Sequence, residues 1–136
     1  MIKNKNIFLF GRNFLKNPLR NGSIVPSSNI AAKAMLRHID FSSIRVIVEL
    51  GPGTGVFTEE ILKRCATGTK VILIEIEESY IKPLHKKFGN KVIIEKASAH
   101  LFDSILEKHG IRKVDLIISG LPFMLSGVER KLFESV

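Results

Sequence analysis

The first 39 residues contain no aspartate and no glutamate. They hold seven basic side chains: Lys3, Lys5, Arg12, Lys16, Arg20, Lys33 and Arg37. The whole chain has a formal net charge of +8, yet the residues after Ile39 carry 14 basic and 13 acidic groups. The excess is therefore confined to an amino-terminal arm on a nearly neutral body. Such an arm suits an anionic partner, a membrane surface or a nucleic acid, although a solvated basic tail has the same composition. Tryptophan is absent, and tyrosine and cysteine occur once each. The lone Cys65 excludes an internal disulfide and agrees with a reducing compartment. No apolar run approaches the roughly 20 residues that span a bilayer. Ile7–Phe10 is shorter than the roughly 7–15 apolar residues of a signal-peptide core. These absences point to a cytoplasmic protein. At 136 residues and 45% hydrophobic content, the chain suits one globular domain with one core.

Four apolar, β-branched runs read as strands buried on both faces: Arg45–Leu50, Lys70–Glu75, Lys91–Glu95 and Val114–Ser119. Helical patterns separate them. Thr58–Arg64 opens on Thr-Glu-Glu, which puts acids in the first turn where the helix dipole favours them. Ser79–Phe88 and Ala99–His109 follow, the latter ended by Gly110. Strands alternating with helices imply an open α/β sheet with right-handed crossovers. Upstream, Ser27–Ile39 has an apolar stripe of Ile30, Ala31, Ala34, Met35 and Ile39, with Ser28 available as a cap. Asn4–Asn17 also reads as a helix, closed by Pro18. In it Ile7, Phe10, Phe14 and Leu15 share one side, and Lys5, Arg12 and Lys16 the other. That is the make-up of a helix lying in a bilayer interface, or of one packed on the protein's own core. The organisation expected is a basic amphipathic helix over residues 1–20 and a nucleoside-binding domain over 21–136.

The most informative stretch is Val46-Ile-Val-Glu-Leu-Gly-Pro-Gly-Thr-Gly-Val-Phe-Thr58. A buried strand runs into a turn with glycines at 51, 53 and 55, and a helix follows. A tight strand-to-helix turn needs residues that tolerate positive φ and let a ligand touch the backbone. The spacing E-x-G-x-G-x-G differs from the dinucleotide fingerprint, because position 56 is valine and Pro52 divides the first two glycines. Glu75 closes the next apolar run. A carboxylate there can accept both ribose hydroxyls of a nucleoside. Glu77 and Glu78 are alternatives for that role. No histidine stands out: His38, His85, His100 and His109 all read most simply as surface residues. No metal site is expected.

V-E-L-G-P-G-T-G followed by I-L-I-E-I-E resembles the first two motifs of class I S-adenosylmethionine-dependent methyltransferases. Asp115-Leu-Ile-Ile-Ser-Gly-Leu-Pro-Phe123 stands at their fourth motif. With Gly22-Ser-Ile-Val-Pro-Ser-Ser28 upstream, the chain resembles bacterial phospholipid N-methyltransferases, which methylate phosphatidylethanolamine toward phosphatidylcholine. The rRNA adenine dimethylases are relatives of the same fold. The resemblance implies a Rossmann-like class I methyltransferase fold with strand order 3-2-1-4 in the part present, preceded by helices. The strands that usually follow the fourth would be missing. It implies S-adenosyl-L-methionine as cofactor, with Glu49, Gly51, Pro52, Gly53, Thr54 and Gly55 as its loop, Glu75 at the ribose and Ile76 as a further cofactor contact. Ser98 and Ser119 would complete the pocket. Ser98 stands where the family usually has an acid near the adenine. Gly120, Leu121 and Pro122 would lie at the reacting amine. The adenine enzymes have Asn-Pro-Pro-Tyr there, so Gly120 lacks the amide that holds their target.

The function implied is N-methylation of a phospholipid head group at the inner face of the membrane, reached through residues 3–20. An RNA adenine methyltransferase is the alternative, with the arm contacting phosphates. A catalytically idle module that binds cofactor or lipid is a third reading. If strands are missing, Val114–Ser119 forms an apolar sheet edge, and self-association through it is expected.

Overall fold

The computed structural model describes residues 7–10, as backbone, and residues 28–120. Among the described residues, five parallel strands form one sheet: β1 (Ile7–Phe10), β2 (Val46–Leu50), β3 (Lys70–Glu75), β4 (Ile93–Lys96) and β5 (Leu116–Ser119). Their spatial order is β1-β5-β2-β3-β4. The four expected strands thus take the 3-2-1-4 order, with β1 added beyond the fourth. The described helices are α1 (Ser28–Leu36), α2 (Val56–Arg64), α3 (Glu78–Phe88) and α4 (Phe102–Lys108). A 3-10 turn over Ala99–Leu101 leads into α4, so the helix expected from Ala99 begins at Phe102. Gly110, at φ 66°, terminates that segment as expected.

Alternation along each strand divides the core in two. On one face Ile47, Val71, Leu73, Leu116 and Ile118 pack against Leu36 of α1, Phe57 and Ile61 of α2, and Leu84 and Phe88 of α3. On the other, Val48, Leu50, Ile72, Ile74 and Ile117 pack against Phe102 and Ile105 of α4. Burial on both faces is why these strands are continuous apolar runs rather than alternating ones. Each fully buried Ile or Leu contributes roughly 1.5–3 kcal/mol, so the sheet's two faces hold the domain together.

Two expectations need correction. Ile7–Phe10 is a strand, not part of a helix, and pairs Ile7 with Leu116 through Phe10 with Ser119. Sheet pairing satisfies the backbone groups of a short apolar segment that would otherwise form only one turn of helix. The rest of the Asn4–Asn17 segment, and with it the basic surface of residues 3–20, lies outside the described residues. β5 is flanked by β1 and β2, so the strand at 114–119 is not an open edge. Self-association through it loses its basis. Ile117 is 1% exposed, so a charge there would break the core rather than improve solubility.

Candidate cofactor site

The site forms where β2 and β3 end. Gly51, Gly53 and Gly55 all have positive φ, at 65°, 57° and 86°. They do three different jobs. The Gly51 N–H donates to the Ile74 carbonyl at 2.9 Å, tying the turn to β3. Gly55 caps α2, and a Cβ there would stand 2.5 Å from Phe88 Cε2, so its hydrogen is a packing requirement. Gly53 is less crowded: apart from its chain neighbours, an added Cβ would meet only Tyr80 Cζ among the described residues, at 3.9 Å, an ordinary van der Waals contact. Of Gly53 and Gly55, the geometry leaves room for a close approach only at Gly53. Pro52 is half-buried beside it, and Thr54 is exposed.

Two buried carboxylates sit beneath this loop. Glu75 is 5% exposed. Its Oε2 accepts the Gly53 N–H at 2.9 Å and its Oε1 accepts the Glu77 N–H at 3.0 Å. It therefore joins the glycine loop to the β3–α3 turn. A carboxylate has about four acceptor positions, so both oxygens keep capacity for a ligand hydroxyl. Glu77 and Glu78 are exposed and turned to other partners, Glu77 to Ser79 and Glu78 to Lys96. Of the three glutamates, only Glu75 is built into the site.

Glu49 lies one strand away, at the end of β2. It accepts the Thr58 hydroxyl at 2.7 Å on Oε1, with Oε2 3.1 Å away. Burial raises its carboxyl to about 7; the Thr58 bond opposes this and the Glu75 charge adds to it. Among the described residues no lysine or arginine forms an ion pair with Glu49 or Glu75. The sequence suggests Thr58 as the start of a helix. The structure starts that helix two residues earlier and gives Thr58 to Glu49 instead.

Ile76 follows Glu75 and is 64% exposed, an apolar side chain accessible to a ligand. The Ala97 N–H bonds the Glu75 carbonyl at 3.1 Å, which brings Ser98 beside this end of β3. The Ser98 hydroxyl oxygen accepts the His100 N–H at 3.3 Å as the cap of the 3-10 turn. Leu101, in that turn, is 50% exposed. Ser119 is buried and ends β5 in register with Leu50. The Gly120 N–H donates to the Leu50 carbonyl at 2.7 Å, so the residue after β5 reaches the glycine loop. Leu121 and Pro122 lie outside the described residues. His38, His85 and His100 are exposed, and the His109 ring bonds Glu95 at 2.7 Å. Among the described residues no His/Cys/Asp/Glu group has the makings of a metal site.

The family of ribosomal RNA adenine dimethylases matches residues 3–121. The chain belongs to this family. The ornithine lipid N-methyltransferase of Singulisphaera acidiphila is 33% identical over 120 residues, covering 87% of this chain and 62% of that protein. The ribosomal RNA small subunit methyltransferase A of Thermotoga petrophila is 28% identical over 114 residues, 83% of this chain and 41% of that protein. This dimethylase-family chain spans less than two thirds of the length of these relatives. A putative RNA methyltransferase of Pyrococcus horikoshii shares its fold, with a TM-score of 0.51 at 22% identity over 98% of this chain and 63% of that one. S-adenosylmethionine is the cofactor of such enzymes. The site fits it on three counts. Gly53 leaves room for close approach to the backbone, and Glu75 has spare acceptor capacity. The two buried carboxylates, without an ion-pair partner among the described residues, suit a cationic ligand.

Proposed function

We propose that this chain is the cofactor-binding part of an S-adenosylmethionine-dependent N-methyltransferase acting on the amine head group of a lipid. S-adenosylmethionine supplies a methyl group on a positively charged sulfur. The chain's part is to orient it. Gly53 gives the ligand access to the backbone, Glu75 accepts the ribose hydroxyls, and Ile76 and Ser98 flank the base. Orientation of an amine in line with the methyl carbon is the main demand, since no covalent enzyme intermediate is required. The acceptor nitrogen must be neutral when it attacks.

Gly120 carries the choice of acceptor. The resemblance puts the target-holding asparagine of the adenine enzymes at this position. A Cβ at Gly120 would stand 2.6 Å from the Gly51 carbonyl oxygen, closer than real Cβ atoms come. No side-chain amide fits there while the cofactor loop keeps its shape. That favours a flexible amine over a nucleobase. The relative from Singulisphaera acidiphila, by name an ornithine lipid N-methyltransferase, supports the same class. Phosphatidylethanolamine and ornithine lipid both offer a primary amine, and either fits this reading. The basic residues of 3–20 would draw such a protein to the anionic inner face of a membrane, at about 1 kcal/mol per charge near the surface. Methylation of RNA is the second reading. The family's description favours it, and the same charges would then meet phosphates.

Transfer of radiolabelled methyl groups to a panel of vesicles and RNAs tests the proposal. Label in phosphatidylethanolamine or ornithine lipid, and none in RNA, is expected. Label in RNA alone overturns the lipid assignment, and no label anywhere overturns the activity. Gly120→Asn should abolish transfer and weaken cofactor binding together, because the Gly51 carbonyl must move.

A further inference from the structure

Tyr80 has no role in the proposed function, yet its ring stands beside Gly53. Apart from the chain neighbours of Gly53, its Cζ is the only atom among the described residues within 4 Å of where a Gly53 Cβ would be. Its backbone is held in the same small network as the site: the Tyr80 N–H donates to the Glu77 carbonyl at 3.1 Å, and the Glu77 N–H donates to Glu75 Oε1 at 3.0 Å. Glu75 in turn accepts the Gly53 N–H. The ring, the glycine and the carboxylate therefore bound one corner. Tyr80 is 37% exposed, although it lies in the first turn of a helix whose Leu84 and Phe88 are buried. An aromatic ring left partly in water beside a ligand-accessible backbone gains from covering an organic ligand, by roughly the transfer of its remaining apolar surface.

We propose that Tyr80 is a cofactor-contacting residue whose ring, rather than its hydroxyl, walls the corner between Gly53 and Glu75. The inference rests on the S-adenosylmethionine reading of the site. The wall serves any nucleoside ligand of this corner in the same way, so the demethylated product should meet it as the cofactor does.

Tyr80 is the chain's single tyrosine, so selective labelling of tyrosine gives one set of ring signals in nuclear magnetic resonance. S-adenosylhomocysteine is the probe. Calorimetry on the unaltered chain comes first, because absence of binding there overturns the cofactor reading itself. Given binding, the Tyr80 ring signals should shift with the same saturation curve. Tyr80→Phe should keep the affinity within about twofold, and Tyr80→Ala should weaken it about tenfold, the scale of one partly buried aromatic contact. Folding of both variants is checked by thermal unfolding. Ring signals that stay put while the ligand binds, or a Tyr80→Ala protein with unchanged affinity, would overturn the proposal. A loss in Tyr80→Phe as large as in Tyr80→Ala would overturn the assignment to the ring.

Discussion

The two ends of the sheet treat a carboxylate in opposite ways. At the amino end, Asp115 Oδ2 accepts the Arg45 N–H at 2.8 Å and the Val46 N–H at 3.0 Å, and Lys113 lies 3.4 Å from Oδ1. Burial by itself would raise this carboxyl, but the two N–H groups and Lys113 hold it below its ordinary range. At the carboxyl end, Glu49 has the Thr58 hydroxyl as donor and no cation among the described residues, and its carboxyl is raised to about 7 by burial. Both residues sit in the same pair of neighbouring segments, so the difference is one of supply. The chain gives its own donors to the carboxylate that fastens β5 to β2. It leaves the one under the glycine loop short of compensation. Folding alone would favour a neutral side chain at position 49. The deficit makes sense once a positively charged ligand completes the site.

The largest effect expected from this contrast is in the pH dependence of stability. Glu49 is raised in the folded chain from 4.5 to about 7. Its favourable contribution is thus fully present below pH 4.5 and is lost as pH rises through 7. Relative to Glu49→Gln, the unaltered chain should lose about 3 kcal/mol of stability between pH 4.5 and pH 8, because a tenfold change in proton affinity is worth roughly 1.36 kcal/mol. Urea denaturation of both proteins across that range measures it. Parallel curves would show that Glu49 does not carry this deficit. Saturating S-adenosylmethionine should shrink the difference, and its binding near pH 7 should release a proton, detectable by calorimetry in buffers of different ionisation enthalpy.

Next in size is Glu75→Ala, with an expected loss of roughly 1.5–3 kcal/mol in cofactor binding, the range for hydrogen bonds to a charged group. Unchanged affinity would separate Glu75 from the ribose. Asp115→Ala should act the other way round. It strands the Arg45 and Val46 N–H groups, costs about 1–3 kcal/mol of stability, and spares cofactor affinity. Because the Asp115 carboxyl is lowered, its contribution is present above its ordinary 3.8 and fades as pH falls through the lower folded value, a slope opposite to that of Glu49. Smallest of all is Glu95→Gln. Lys108 first and His109 second hold the Glu95 carboxyl low, but the lysine of this pair is solvated. The change should cost less than about 1 kcal/mol and leave cofactor binding untouched. A larger loss would place a structural carboxylate outside the β2–β5 seam.

The four strands that carry the site were legible because burial on both faces writes itself as an unbroken apolar run. Glu75 was legible for the same reason, as the polar residue that closes such a run. Ile7–Phe10 was not. Four apolar residues suit a strand or one turn of helix equally, and the flanking Lys5 and Arg12 happen to fall at helical spacing. What decides is a partner at Leu116–Ser119, far along the chain and invisible to any local window. Thr58 misled for a related reason. Thr-Glu-Glu carries the chemistry of a helix start, but the hydroxyl belongs to a strand residue nine positions earlier. No spacing rule marks Tyr80, whose place over Gly53 depends on how the β3–α3 turn curls back.

The pairing of β1 with β5 also bears on how the sheet assembles. β2, β3 and β4 follow one another along the chain and find neighbours nearby. β1 instead pairs with β5, the most distant pairing along the chain in this sheet. Closing so long a loop is the kind of non-local contact that slows folding. Until that pairing forms, Ile7–Phe10 is an apolar strand without its partner, the kind of segment that pairs with the wrong chain. The residues around it carry basic side chains and no acidic ones. Like charges on two copies of this segment repel, which opposes wrong pairing of an apolar strand that has not yet found its partner.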